Sequence, residues 1–132
     1  MAPTPIRSIP PKEGLRFAGL GNLICKVAGE QVADAYTVLE LHLEPGQGSG
    51  LHRHAREDEV VHVLAGACTV GDPERTWVVE AGSWVVFPKG TAHRFGNSGE
   101  ATCSLLITAV PGGLDRYFAA VSAALDRQDP AA

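Results

Sequence analysis

Five histidines, His42, His52, His54, His62 and His93, are the side chains of this sequence best suited to chemistry. A lone imidazole is more often a packed or surface residue than a ligand. The pair His52-Arg53-His54 is different, because residues i and i+2 of an extended chain point to the same side and can converge on one ion. Three carboxylates, Glu57, Asp58 and Glu59, follow closely. Simple alternation from His54 sends Glu59 to the opposite face, so a turn or bulge within Ala55-Arg56-Glu57-Asp58 must reset the phase if Glu59 is to join the pair. His93 comes from a distant strand, as is normal for a ligand set that a fold assembles. His62 is out of phase with Glu59, Val61 and Val63 and is expected on the other face of its strand. His42 shares a polar face with Glu40 and is expected to be exposed or at an interface.

The elements that would hold these residues are short strands cut by turns. Val38 to Leu43 alternates, with leucines on one face and Glu40 and His42 on the other. Val60 to Leu64 reads as a buried strand. Cys68 to Val70 pairs with Thr76 to Val79 across the turn Gly71-Asp72-Pro73-Glu74. Trp84 to Phe87 is rich in strand formers, and Thr102 to Thr108 is the last clear strand. Such even spacing, with Gly and Pro between, predicts an all-β sandwich or barrel. Pro3, Pro5, Pro10 and Pro11 make residues 1–13 an irregular arm. Leu114, Tyr117, Phe118, Val121 and Leu125 recur at helical spacing and predict one amphipathic helix from Leu114 to about Arg127, packed as a brace on the barrel or on a partner chain.

A length of 132 residues fits one domain, and an apolar share of 45% is ordinary for a globular chain. The formal net charge is −4 and no block of Lys or Arg occurs, which argues against a nucleic-acid or anionic-membrane surface. No apolar run approaches ~18 residues, and the N-terminus lacks the apolar core of a signal peptide. Cys25, Cys68 and Cys103 are odd in number and in no C-x-x-C pairing, so they are expected as reduced, packed thiols. The expected setting is soluble and cytoplasmic.

The spacing of the candidate ligands resembles the two short motifs of the cupin superfamily. Gly46, His52, His54, Glu59 and Gly66 match the first; Gly82, Pro88, Gly90, His93 and Asn97 match the second. The resemblance implies a single-domain cupin, a jelly-roll β-barrel over residues 14–110, with the arm before it and a C-terminal helix and tail over 111–132. It implies that His52, His54, Glu59 and His93 hold one divalent metal, since among the neighbouring carboxylates only Glu59 has a permitted spacing. Three imidazoles and a carboxylate suit Fe, Ni, Mn, Co, Cu or Zn and are too nitrogen-rich for Ca or Mg. Gly46, Gly66, Gly82 and Gly90 are expected at sharp turns with positive φ. Phe95 shares phase with His93 and is expected to line the pocket. Val61, Val63, Leu105 and Ile107 are expected as further walls, with Cys103 a packed thiol nearby.

Within the superfamily, the stretch from His52 to Glu59, with Val63-Leu64-Ala65-Gly66, is similar to the small quercetin-dioxygenase-like cupins. The ending Pro111-Gly112-Gly113-Leu114-Asp115-Arg116-Tyr117-Phe118 is similar too. This implies a metal-dependent dioxygenase acting on a small enolic or phenolic substrate, with Glu59 as general base. A non-redox isomerase, lyase or polyketide-type cyclase would use the same residues to polarise a carbonyl and move protons. A small-molecule-binding module is the third reading. So small a cupin leaves sheet edges and one barrel face uncovered, and a homodimer is the expected remedy.

Overall fold

Leu39, Leu41 and Leu43 alternate with Glu40 and His42, and the strand they form buries every leucine while keeping the polar pair on the far face. The same two-residue period organises the rest of a computed structural model that describes residues 5–128. The outermost parts of the expected arm and tail, 1–4 and 129–132, lie outside the described residues. Strands β1 (Leu15–Phe17), β2 (Asn22–Val27), β3 (Thr37–Leu43), β4 (Asp58–Ala65), β5 (Ala67–Gly71), β6 (Thr76–Glu80), β7 (Trp84–Phe87), β8 (Arg94–Gly96) and β9 (Cys103–Val110) precede one helix, α1 (Leu114–Gln128). A short 3-10 turn, Gly29–Val32, links β2 to β3.

The strands form two antiparallel sheets, one of six strands in the order β1-β2-β3-β9-β4-β7 and one of three in the order β6-β5-β8. They face each other as a jelly roll. The sheets do not join into one closed hydrogen-bonded barrel among the described residues, which corrects the expectation of a barrel. Leu23, Leu39, Leu41, Leu43, Val61, Val63 and Leu105 are fully buried between the sheets, each worth ~1.5–3 kcal/mol on transfer from water. Cys25, Cys68 and Cys103 are free thiols packed in this core.

Observed strand limits differ from the sequence reading where charge sits at an end. β4 begins at Asp58, two polar residues earlier than the apolar run, because Glu59 pairs in register with both Ala109 and Phe87. Gly46, Gly66, Gly82 and Gly90 all have positive φ. At Gly66 the need is also steric: a Cβ would stand 2.5 Å from the Thr102 carbonyl oxygen. Asn97 is buried and staples two loops, its Nδ2 donating to the Leu43 carbonyl at 2.8 Å and the Ala101 carbonyl at 2.7 Å.

α1 starts after Pro111-Gly112-Gly113 and is anchored at its first turn. The buried Asp115 Oδ1 accepts the Gly29 N–H at 3.1 Å and the Thr37 hydroxyl at 3.0 Å. Ser122 Oγ accepts the Ala18 N–H at 3.1 Å, so the middle of the helix is tied to the β1–β2 loop. Among the described residues no helix is long and apolar enough to cross a membrane.

Candidate metal centre

His52 and His93 face each other as an isolated antiparallel backbone pair, with N–H to carbonyl distances of 2.9 and 2.8 Å. The Gly90 N–H donates to the His54 carbonyl at 2.8 Å. Backbone pairing therefore sews the segment 52–54 to the segment 90–93, and three imidazoles arrive together. His52 and His54 lie ahead of β4 and not on a regular strand. The chain bends at Ala55 and Arg56 before entering β4, and this bend is the phase reset that brings Glu59 to the same side.

One ligand atom from each of His52, His54, Glu59 and His93 lies within 4.8 Å of all the others. A common ion ~2.1 Å from each donor needs donors roughly 3–4.3 Å apart, so closing on a metal takes shifts of about half an ångström. The tautomers suit this. His52 Nδ1 lies 2.8 Å from the Gly50 carbonyl and His93 Nδ1 lies 3.0 Å from the Thr91 carbonyl. A carbonyl can only accept, so each Nδ1 carries the proton and each Nε2 keeps its lone pair. Phe87 stacks on the His93 ring, with centroids 4.1 Å apart and planes 12° from parallel, and fixes its plane.

Two buried atoms of the cluster lack a hydrogen-bond partner, Glu59 Oε1 and His93 Nε2, and they stand 4.0 Å apart. An acceptor facing a lone pair, both out of water, is costly unless a cation lies between them. His54 Nε2 is 2.9 Å from Glu59 Oε1 without the alignment of a hydrogen bond. That contact with Glu59 holds the His54 imidazole above its ordinary range, against the opposing effect of burial. Burial pushes His93 below the ordinary range, helped by the neighbouring His52 and His54. The donor set and its orphaned atoms fit a divalent transition metal.

The site opens into a cavity of about 310 Å³. Phe95 and Ile107 line it, as do His52, His54 and Glu59. Val61, Val63 and Leu105, expected as walls, are instead packed wholly inside the core and do not line it. Val63 and Leu105 pair two steps along β4 from Glu59, and Val61 pairs with the lining residue Ile107. Cys103 is likewise core. His62 lies on the outer face of its strand, stacked on Trp84 with centroids 3.9 Å apart. His42 is half-buried on that same outer face, bonded to Ser104 and Glu40.

Sequence reasoning missed the roof. Leu114, Tyr117, Phe118 and Val121 of α1, with Ala18-Gly19-Leu20, supply another part of the cavity wall. The apolar stripe of α1 was visible in the sequence, but nothing in its period says that it covers a site. Phe87 was also missed, although its alternation with Val86 marks it as inward. Among the described residues no Lys or Arg lines the cavity.

Fold and site together define a jelly roll with a His-His-Glu-His cluster able to hold one metal ion. Residues 39–109 match the family model of the cupin domain, and the chain belongs to the cupin family. Similar solved structures include the polyketide cyclase RemF from Streptomyces resistomycificus, at 21% identity and TM-score 0.69 over 80% of this chain and 79% of that one. A predicted oxalate decarboxylase from Thermotoga maritima is similar at 22% identity and TM-score 0.64, over 68% of this chain and 79% of that one. A sugar phosphate isomerase from Silicibacter pomeroyi is similar at 26% identity and TM-score 0.57, over 67% of this chain and 59% of that one. No curated protein sequence matches the chain. Likeness to the cyclase and the decarboxylase carries the fold alone, and the three proteins are named for three different reactions.

Proposed function

We propose that this cupin is a metal-dependent enzyme acting on a small, uncharged, flat enolic or phenolic compound, and that it is a dioxygenase. The cavity wall carries the reading. Among the described residues Glu59 is the one carboxylate there, no Lys or Arg accompanies it, and Phe95, Tyr117, Phe118 and aliphatic groups make up most of the rest. Apart from the metal that the site would hold, a phosphate or dicarboxylate would find no Lys or Arg among the described lining residues to neutralise its remaining charge. An enol or phenol enters neutral and becomes anionic only by giving its proton to Glu59. The Phe95 and Tyr117 rings offer flat faces to a ring compound. A volume of about 310 Å³ admits only a small one.

His52, His54, Glu59 and His93 would hold the metal, which when bound supplies Lewis acidity towards a substrate oxygen. The chain's own contribution is to orient the substrate against Phe95, exclude water with α1, and take the hydroxyl proton on a Glu59 carboxylate oxygen. Dioxygenation places both atoms of O2 in the product, so no external reductant is required.

A second reading, a non-redox isomerase, lyase or cyclase, is favoured by Tyr117. Its ring lies 6.2 Å from the His54 ring and puts a phenol on the wall of the cavity that Glu59 also lines. An acid and a base can relocate a proton without O2. The test is an oxygen electrode with flavonols, diketones and catechols, run on Fe-, Ni- and Zn-loaded protein. Oxygen uptake with the redox-capable metals and none with Zn is expected. Full anaerobic turnover on Zn would overturn the dioxygenase and leave the second reading. Saturable binding without turnover on any metal would leave a binding module.

A further inference from the structure

Glu57, Asp58 and Glu59 stand in a row, and each has different surroundings. Asp58 faces outward, and its Oδ1 accepts the Lys89 N–H at 2.9 Å. Glu59 joins the ligand cluster. Glu57 lies two residues before Glu59, just ahead of β4, and shares its phase. Its side chain is only 12% exposed, and its Oε2 lies 3.9 Å from His54 Nδ1. Among the described residues no Lys or Arg stands within 4.0 Å of it. A carboxylate so withdrawn from water is costly unless it accepts an N–H.

The three imidazoles differ at Nδ1. His52 gives its Nδ1 proton to the Gly50 carbonyl at 2.8 Å, and His93 gives its own to the Thr91 carbonyl at 3.0 Å. His54 has a carboxylate there in place of a carbonyl. At 3.9 Å this is a charge contact and not yet a hydrogen bond. The other end of the ring says what would shorten it. His54 Nε2 lies 2.9 Å from Glu59 Oε1, whereas two donors on one ion stand roughly 3–4.3 Å apart. Ring and carboxylate must part to admit an ion, and parting leaves the ring free to turn its Nδ1–H onto Glu57. Glu57 does not line the cavity that His54 lines, so it can back the ring without meeting a substrate.

We propose that Glu57 is the positioning carboxylate of His54. It accepts the Nδ1–H and keeps the Nε2 lone pair turned to the cluster. It also makes His54 the most strongly donating imidazole of the three, because an anionic acceptor draws on the N–H more than a carbonyl does. This role rests on the cluster being a metal site, and Glu57 acts in it only through His54.

Zinc affinity, measured by competition with a chromophoric chelator, should fall about 10–100-fold in Glu57→Ala. Glu57→Gln should fall in between, because its amide oxygen still accepts an N–H but carries no charge. Glu80→Gln, exposed on β6, should bind as wild type does. The visible absorption bands of the Co-loaded protein should shift in both Glu57 variants and stay in place in Glu80→Gln; a carboxylate that served stability alone would not move them. Circular dichroism of the metal-free proteins checks folding, and if Glu57→Ala does not fold, Glu57→Gln carries the test. A wild type that takes up neither Zn nor Co would overturn the metal reading itself. A wild type that binds both, with Glu57→Ala (or Glu57→Gln in its place) equal to it in affinity or in spectrum, would overturn the role of Glu57 alone.

Discussion

Replacing Glu59 by Gln should stabilise the metal-free protein. Glu59 is 2% exposed, and its Oε1 has no hydrogen-bond partner while facing the His93 Nε2 lone pair at 4.0 Å. Gln is nearly isosteric, carries no charge to bury, and its amide can donate to an imidazole lone pair. Curing one orphaned buried group is worth about 1–3 kcal/mol, or about 4–12 °C in Tm for a chain of this size. The advantage must depend on pH. Because contact with Glu59 raises the His54 pKa in the folded state, that pair contributes stability in full below the unfolded value of about 6.5. The contribution is lost as pH rises through the folded pKa. Gln should therefore gain on Glu as pH rises. Calorimetry in excess chelator, across pH 5 to about 9, measures it. In saturating metal the order should reverse, since a ligand binding at ~100 Kd adds about 2.7 kcal/mol to the wild type and Gln is a poorer donor. A chelated Glu59→Gln protein that unfolds no later than wild type at alkaline pH would refute the reading of Glu59 as a carboxylate awaiting a cation.

Elemental analysis of untagged protein should find close to one transition metal per chain, with most lost in His52→Ala and His93→Ala and none in His62→Ala; a content near zero that reconstitution cannot restore would sink the site. Asp115→Ala removes the acceptor of the Gly29 N–H and the Thr37 hydroxyl and should cost about 1–3 kcal/mol, read as a lower Tm; an unchanged Tm would count against the helix anchor. Burial, with some help from Asp115, pushes the Cys25 thiol up to about 11, so thiol reagents at pH 8 should leave Cys25 unlabelled until denaturant is added, and rapid native labelling would contradict the packing.

The ligand set was legible because metal chemistry depends on residue type and spacing, both of which a sequence displays. Even the phase reset between His54 and Glu59 followed from counting alternation. Depth was not legible. Val61, Val63, Leu105 and Ile107 share the inward phase, but only Ile107 reaches the cavity. Periodicity says which face a side chain takes and not how far along the strand the core closes over it. In register, Val63 pairs with Leu105 two steps along β4 from Glu59, whereas Val61 and Ile107 pair with each other and only Ile107, on the neighbouring strand, reaches the cavity, so strand position decides as well as depth. Closure was illegible for a related reason. Strand lengths and turns give local pairings, whereas the failure of β1, β6, β7 and β8 to join edges is a property of the assembled sheets.

The two sides of the site also draw on different parts of the chain, which bears on how its substrate can be inferred. The metal side rests on backbone pairing between 52–54 and 90–93 and on β4. The substrate side rests on α1 and the Ala18-Gly19-Leu20 loop, which are tied to each other through Ala18 and Ser122. Asp115 fastens that roof to Gly29 and Thr37, well away from the ligands in sequence. Substitution at Leu114 or Phe118 can therefore reshape the cavity from a part of the chain that holds no metal ligand. A likeness confined to His52–Gly66 reports on the metal side alone. The chemistry that separates a phosphate, a dicarboxylate and a neutral ring is whether the roof and walls supply a cation, and here they supply aromatic and aliphatic surface. The choice of substrate class accordingly belongs to α1 and its loop more than to the motif that identifies the family.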